Sequence, residues 1–86
     1  MPKRMFLIKG NICGERIKIA RVLHQPSLSQ EQLAHKIQLM GLDMTTMMIS
    51  RIEKGERHVC DAELLAVSKA LHVTMEWLCG EGDIKL

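Results

Sequence analysis

The chain has 86 residues and a formal net charge of +2. This length leaves room for one small domain and excludes a large catalytic cleft between domains. Apolar residues make up 47% and charged residues 26% of the sequence, which favours a folded domain over a polybasic or acidic disordered chain.

Positive charge is concentrated in residues 1 to 28, where six basic residues stand against Glu15 alone for a net charge of +5. Residues 29 to 86 have a net charge of -3, so we expect one end of the molecule to face an anion. The cysteines at 13, 60 and 79 form no C-x-x-C pair, and neither a signal-peptide pattern nor an apolar run of about 18 residues is present. The sequence therefore predicts a reducing, cytoplasmic setting without membrane contact.

The first predicted element is an extended basic arm over residues 1 to 10, which includes Lys3, Arg4 and Lys9. A helix over residues 11 to 24 follows, because one apolar face recurs at helical spacing. That face consists of Cys13, Ile17, Ala20 and His24. Pro26 ends this region, since a proline disfavours helical geometry at the residue before it.

Two further helices are predicted from their caps. Ser29 and Gln32 have the spacing of a capping box, which begins a second helix with a buried stripe of Leu33, Ala34, Ile37 and Met40. Gly41 suits a left-handed cap at its end. Thr45 caps a third helix over residues 46 to 53, in which Ile49 and Ile52 face inward.

A fourth helix begins near Cys60, and its predicted buried face consists of Leu64, Leu65, Ser68 and Leu71. Thr74 caps a last short helix that brings Trp77 and Leu78 inward, and residues 81 to 86 are expected to form a frayed tail. No alternating segment rich in Val, Thr and Tyr indicates a strand. The pattern predicts an all-α domain of five short helices.

Four sequence fragments on these predicted helices carry a family resemblance. They are Leu28-Ser29-Gln30-Glu31-Gln32-Leu33-Ala34, Ile49-Ser50-Arg51-Ile52-Glu53-Lys54-Gly55, Glu63-Leu64-Leu65-Ala66-Val67-Ser68-Lys69-Ala70-Leu71-His72-Val73 and Glu76-Trp77-Leu78. The set resembles the phage-repressor-like (XRE/Cro-type) helix-turn-helix family of DNA-binding transcriptional regulators. The resemblance implies a compact five-helix, lambda-repressor-like domain over residues 11 to 80, with the helix-turn-helix formed by the second and third helices.

The resemblance also implies roles for individual residues. The third helix would enter the major groove of double-stranded DNA and face the bases with Thr46, Met47, Ser50 and Arg51. Phosphates would be held by Gln30, Lys54, Arg57 and His58, and a structural ion pair would join Arg21 to Glu53. Arg51 is the main specificity candidate, because a guanidinium can donate two hydrogen bonds to guanine.

Two departures from the family pattern keep a second interpretation open. The turn between the second and third helices is lengthened, and Met47 and Met48 stand where hydrogen-bonding side chains are common. Methionine matches no donor or acceptor pattern, so this surface could instead bind a protein. The leading hypothesis is a small repressor or antitoxin-like autoregulator that binds two-fold related half-sites as a homodimer, with dimer contacts from the fifth helix and the tail.

The sequence contains no motif typical of a metal site or an enzyme. The histidines and cysteines lack a recognised zinc-ligand spacing, and no P-loop, nucleophile elbow or dinucleotide fingerprint is present. The sequence therefore predicts a protein that is not an enzyme and that needs no metal or cofactor, and no small-molecule effector is evident from it.

Overall fold

A computed structural model describes residues 10 to 84, and these residues form five helices without a strand. In chain order the helices are α1 (Gly14–Leu23), α2 (Gln30–Leu39), α3 (Thr46–Glu53), α4 (Asp61–Leu71) and α5 (Met75–Leu78). The all-α, five-helix prediction is confirmed. The predicted basic arm with Lys3, Arg4 and Lys9 lies outside the described residues apart from Gly10.

Local capping fixes where α2, α3 and α5 begin. The Ser29 hydroxyl accepts the Gln32 backbone N–H at 3.0 Å, and the Gln32 side chain accepts the Ser29 N–H at 2.8 Å, which completes the predicted capping box. The Thr45 hydroxyl accepts the Met48 N–H at 3.1 Å, and the Thr74 hydroxyl caps α5 in the same way. Each cap satisfies a backbone donor that a helix terminus otherwise leaves without a partner.

The start of α1 differs from the prediction, because the helix begins at Gly14 rather than at residue 11. The Asn11 side-chain oxygen accepts the backbone N–H groups of Cys13 and Gly14 at 3.0 and 2.7 Å. A short polar side chain that bonds the backbone in this way stabilises a turn in place of a first helical turn. Asn11 therefore holds the entry to α1 without being part of the helix.

The core lies where all five helices meet. Its buried side chains come from α1 (Ile17, Ala20), α2 (Leu33, Ala34, Ile37), α3 (Ile49, Ile52), α4 (Ala66, Val67, Ala70, Leu71), α5 (Leu78), the residue before α1 (Cys13) and the α2–α3 connection (Met44). The α1 helix approaches α3 so closely that a β-carbon at Gly14 would overlap the carbonyl oxygen of Ile52. The glycine is what permits this contact between the two backbones.

Two core predictions are wrong. Met40 is exposed, because α2 ends at Leu39 and the chain turns away through Gly41, which has a φ of +98°. Met44 takes the core position instead and is fully buried. Leu65 is also exposed, because α4 packs on the core through Ala66, Val67 and Ala70, one position further round the helix.

Trp77, which is predicted to pack inward, also connects α5 to α1. Trp77 is half-buried, and the Arg16 guanidinium carbon lies 4.9 Å from its ring centroid. Arg16 also donates to the Trp77 carbonyl oxygen at 3.0 Å, and the indole N–H donates to the Asp83 carbonyl oxygen at 2.9 Å. The first residues of the predicted tail are therefore bonded to the domain. No helix between residues 10 and 84 is long and apolar enough to cross a membrane.

Candidate nucleic-acid interface

A buried ion pair anchors the end of α3 to α1. The Arg21 guanidinium donates to the two Glu53 carboxylate oxygens at 2.7 and 2.9 Å, and the side chains are only 11% and 4% exposed. Its remaining terminal nitrogen donates to the Leu28 carbonyl oxygen at 2.9 Å. This fork geometry fixes three parts of the chain relative to one another: α1, α3 and the segment that precedes α2.

The same carboxylate holds Gln30, which the resemblance places at a phosphate. The Gln30 side-chain amide donates to a Glu53 oxygen at 2.9 Å, and the side chain is half-buried. An amide group has two N–H donors, and within residues 10 to 84 this bond is the only one that the Gln30 side chain makes. Glu53 therefore orients Gln30 at the start of α2 while one amide N–H remains for another partner.

The outward face of α3 carries the four residues that the resemblance assigns to bases. Thr46, Met47 and Arg51 are exposed, and Ser50 is half-buried. Ile49 and Ile52 on the opposite face are buried in the core, so the orientation of the helix is fixed. The Arg51 guanidinium makes no hydrogen bond or ion pair with any residue from 10 to 84. Its donors are open to solvent.

The two adjacent methionines of α3 have different environments. Met47 is 64% exposed. Met48 is half-buried against the core, and its sulfur lies 3.4 Å from the Thr45 backbone nitrogen, as part of the helix cap. Met47 is therefore the more accessible of the two, a difference that adjacent identical residues do not reveal in the sequence.

A second ion pair holds the loop between α3 and α4. Arg57 donates to the two Glu63 carboxylate oxygens at 2.9 and 3.1 Å and to the His58 carbonyl oxygen at 2.9 Å. Hydrogen bonds from Arg57 lower the pKa of Glu63 below its ordinary value, and the same bonds raise the pKa of Arg57. Lys54 and His58 are both exposed.

The outward face of α3 and this loop together form a shallow cleft. It is lined by Thr45, Met47, Met48, Arg51, Glu56, Arg57 and His58. The fold thus brings two predicted base-contacting residues next to two predicted phosphate-contacting residues. Gln30, Ser50 and Lys54 do not line the cleft, and Thr46 instead borders a groove along α2 with His35 and Lys36.

Asn11 and Glu56 are two residues at this site that the sequence analysis missed. The Asn11 amide nitrogen donates to the carbonyl oxygens of Ile52 and Arg57 at 3.1 and 2.8 Å, which ties the loop to α1. The only local signal for Asn11 is an asparagine shortly before a helix start. Glu56 adds a carboxylate beside Arg51, and the loop sequence carries no pattern that indicates its position.

No group of three or more His, Cys, Asp or Glu side chains among the described residues is arranged to hold a metal ion. Burial raises the pKa of the Cys13 thiol to about 11. A thiol with that pKa stays protonated near neutral pH, whereas a metal ligand must be a thiolate. Cys13 acts as a core residue.

Comparison with known proteins assigns a family. A family model described as Helix-turn-helix (HTH_3) matches residues 17–78, which is well over half of the chain. Searches of curated proteins and of solved structures return no match. The matched segment includes both helices of the motif, the Arg21–Glu53 pair and the complete cleft. The chain belongs to the helix-turn-helix family of phage-repressor-like, DNA-binding regulators.

Proposed function

We propose that this protein is a transcriptional regulator that binds double-stranded DNA sequence-specifically. It is a small repressor or antitoxin-like autoregulator that acts by occupying its operator. No catalytic step or cofactor is part of this function. The observation that carries the proposal is the state of Arg51, which is exposed on the outward face of a helix whose other face is locked into the core. A rigid helix with an unengaged guanidinium suits the major groove, where arginine binds the O6 and N7 atoms of guanine.

Base contacts are assigned to Thr46, Met47, Ser50 and Arg51. Arg51 supplies the strongest discrimination, since a bidentate contact to guanine is worth about 1 to 3 kcal/mol against the wrong base. The hydroxyl groups of Thr46 and Ser50 each offer a single hydrogen bond. This division makes Arg51 the first residue to test.

Phosphate contacts are assigned to Gln30, Lys54, Arg57 and His58. The bond from Gln30 to Glu53 supports the first assignment, because it orients the amide at the N-terminus of α2, where backbone N–H groups also favour an anion. His58 lines the cleft, and Lys54 is exposed directly after α3. Arg57 is shared with Glu63, so a phosphate would compete with that carboxylate for its donors.

Binding as a homodimer to two-fold related half-sites is part of the proposal, with the half-sites about one helical turn, or about 34 Å, apart. We assign the dimer contacts to α5 and the residues after it. An apolar groove lined by Leu23, Leu71, Val73 and Trp77 lies at this end of the molecule and supports the assignment.

A protein-interaction module on the same fold is the second candidate. Leu39, at the end of α2, is 75% exposed, and Met40 beside it is exposed as well. Together with Met47, these side chains expose apolar surface on the motif, which favours a protein partner. A partner of this kind would be a protein with an apolar docking face.

Selection from a random pool of double-stranded DNA tests the proposal. We expect enrichment of a two-fold related sequence, and an affinity for it that falls with salt along a log-log slope of several units. The Arg51→Ala variant should bind about tenfold to a hundredfold more weakly and lose preference at one base pair of each half-site.

The matched control is Lys69→Ala, which removes one exposed positive charge from α4, outside the cleft. It should retain the sequence preference of the unaltered protein. If no sequence is enriched and the selected and scrambled duplexes bind equally at low salt, the DNA-binding proposal is wrong and the protein-interaction module becomes the better candidate.

A further inference from the structure

Met47 is an exposed apolar side chain in the middle of a surface proposed to contact bases. We propose that Met47 reads the C5-methyl group of a pyrimidine, one or two base pairs from the guanine that Arg51 reads. This inference rests on the proposed DNA-binding function and specifies part of the sequence that the protein selects.

The first support is that Met47 has no structural role within the domain. Its side chain is 64% exposed, whereas Met48 supplies the core contact and the sulfur next to the Thr45 cap. The cap and the buried residues Ile49 and Ile52 fix the backbone of α3 without help from Met47. The backbone of Met47 is therefore held at a fixed place, and its exposed side chain is available to contact a ligand.

The second support is chemical. A methionine side chain has no donor and only a weak sulfur acceptor, so it cannot distinguish base pairs by their hydrogen-bonding groups. The apolar group that a base pair presents in the major groove is the C5-methyl group of thymine. The same methyl group is present in 5-methylcytosine and is absent from uracil and cytosine.

The third support is the spacing of Met47 and Arg51. The two residues are four positions apart, so they lie on the same face of α3, about 5 to 6 Å apart at their β-carbons. Both line the same cleft. Since base pairs are stacked about 3.4 Å apart, two contacts at this spacing fall one or two base-pair steps apart.

These observations predict that affinity at one position follows the methyl group and not the base pair. Thymine and 5-methylcytosine present opposite hydrogen-bonding groups at carbon 4, an acceptor in the first and a donor in the second. Met47 is indifferent to that difference and contacts the methyl group in either case. Thymine and 5-methylcytosine should therefore bind alike, as should uracil and cytosine.

The test uses the duplex selected by the full chain. The guanine read by Arg51 is located first, as the base pair at which Arg51→Ala loses its preference. Each pyrimidine within two base pairs is then changed in turn among thymine, uracil, cytosine and 5-methylcytosine, each paired with its matching purine. At one position we expect uracil and cytosine to weaken binding about fourfold relative to thymine, the value for one buried methyl group, with 5-methylcytosine within about twofold of thymine.

Two variants connect the effect to the side chain. Met47→Ala keeps a strong helix former on an exposed site and should bind the four duplexes equally. Leu65→Ala truncates an exposed apolar side chain on α4, outside the cleft, and should keep the fourfold difference.

The inference is overturned if no position near the guanine distinguishes thymine from uracil, or if the difference persists in Met47→Ala. A loss that 5-methylcytosine does not restore also overturns it, since a hydrogen-bonding group of the base pair would then be read instead of the methyl group. These failures leave the DNA-binding function intact as long as selection yields a preferred duplex. A selection without any preferred duplex overturns both.

Discussion

Two arginine–glutamate pairs lie next to α3, and they differ mainly in burial. The side chains of Arg21 and Glu53 are 11% and 4% exposed and join two helices distant in sequence. Those of Arg57 and Glu63 are 28% and 15% exposed and join a loop to the helix that follows it. Both pairs have the bidentate geometry that suits a guanidinium and a carboxylate, so burial and not geometry separates their roles.

The difference in burial bears on which arginine is available for the DNA contacts of the proposed function. Removing either partner of this buried pair leaves an uncompensated charge that is largely shielded from water, so Arg21 is needed for the fold. A more exposed pair contributes about 0 to 1 kcal/mol, and a phosphate can replace its carboxylate at little cost. In the proposed function a phosphate would therefore replace Glu63 at Arg57, while Arg51 begins without a protein partner within the described residues.

The largest predicted effect comes from breaking the buried pair. Arg21→Ala and Glu53→Ala should each lower the free energy of unfolding by about 3 to 5 kcal/mol, a large part of the 5 to 15 kcal/mol typical of a domain. Urea unfolding measures both losses. The double variant should lose clearly less than the sum of the single losses, because one charge no longer lacks its partner. Losses of less than about 1 kcal/mol in both single variants would refute a structural role.

An intermediate effect is expected at Asn11, which links the two pairs. Its amide nitrogen donates to the carbonyl oxygens of Ile52, next to Glu53, and of Arg57. Its side-chain oxygen accepts the backbone N–H groups of Cys13 and Gly14 at the start of α1. Asn11→Ala should cost about 2 kcal/mol of unfolding free energy, since it leaves half-buried backbone groups without partners. Asn11→Asp keeps the capping oxygen but aims a carboxylate at two carbonyl oxygens. If Asn11→Asp leaves the free energy of unfolding unchanged, the hydrogen bonds donated by the Asn11 amide do not stabilise the fold.

Features set by a few neighbouring residues could be predicted from the sequence. The capping box of Ser29, the Thr45 cap and the inward positions of Ile49 and Ile52 follow from local spacing, and the structure confirms them. The roles proposed for Arg51 and Gln30 came from the family resemblance instead. Helical periodicity alone would have left both as ordinary polar surface residues.

Features that depend on distant packing could not be predicted. Met44 fills the core in place of Met40 because of how the lengthened connection folds, with the Gln38 side chain bonded to the Met44 carbonyl oxygen at 2.6 Å. Met47 and Met48 are the same residue type at adjacent positions, and they differ because Met48 contacts the Thr45 cap and the core. The bond from Gln30 to Glu53 joins residues 23 positions apart, and no local pattern indicates it.

The smallest predicted effect belongs to the more exposed pair, and pH isolates it. Glu63→Gln keeps an oxygen that can accept the Cys60 N–H, so it removes the charge while preserving the cap. Near pH 7 this variant should be about 0.5 to 1 kcal/mol less stable than the unaltered chain. The folded state lowers the pKa of Glu63 below its ordinary value of 4.5, so the unfolded chain takes up the proton first as the pH falls.

The stabilisation by this pair is therefore complete above about pH 4.5 and disappears as the pH falls through the lower pKa of the folded state. Urea unfolding of both proteins from pH 7 to pH 3 should show their difference in stability shrinking over that range. All other carboxylates are common to the two proteins, so their titration cancels from the difference. A difference that stays constant with pH would mean that the Glu63 charge does not stabilise the loop through Arg57.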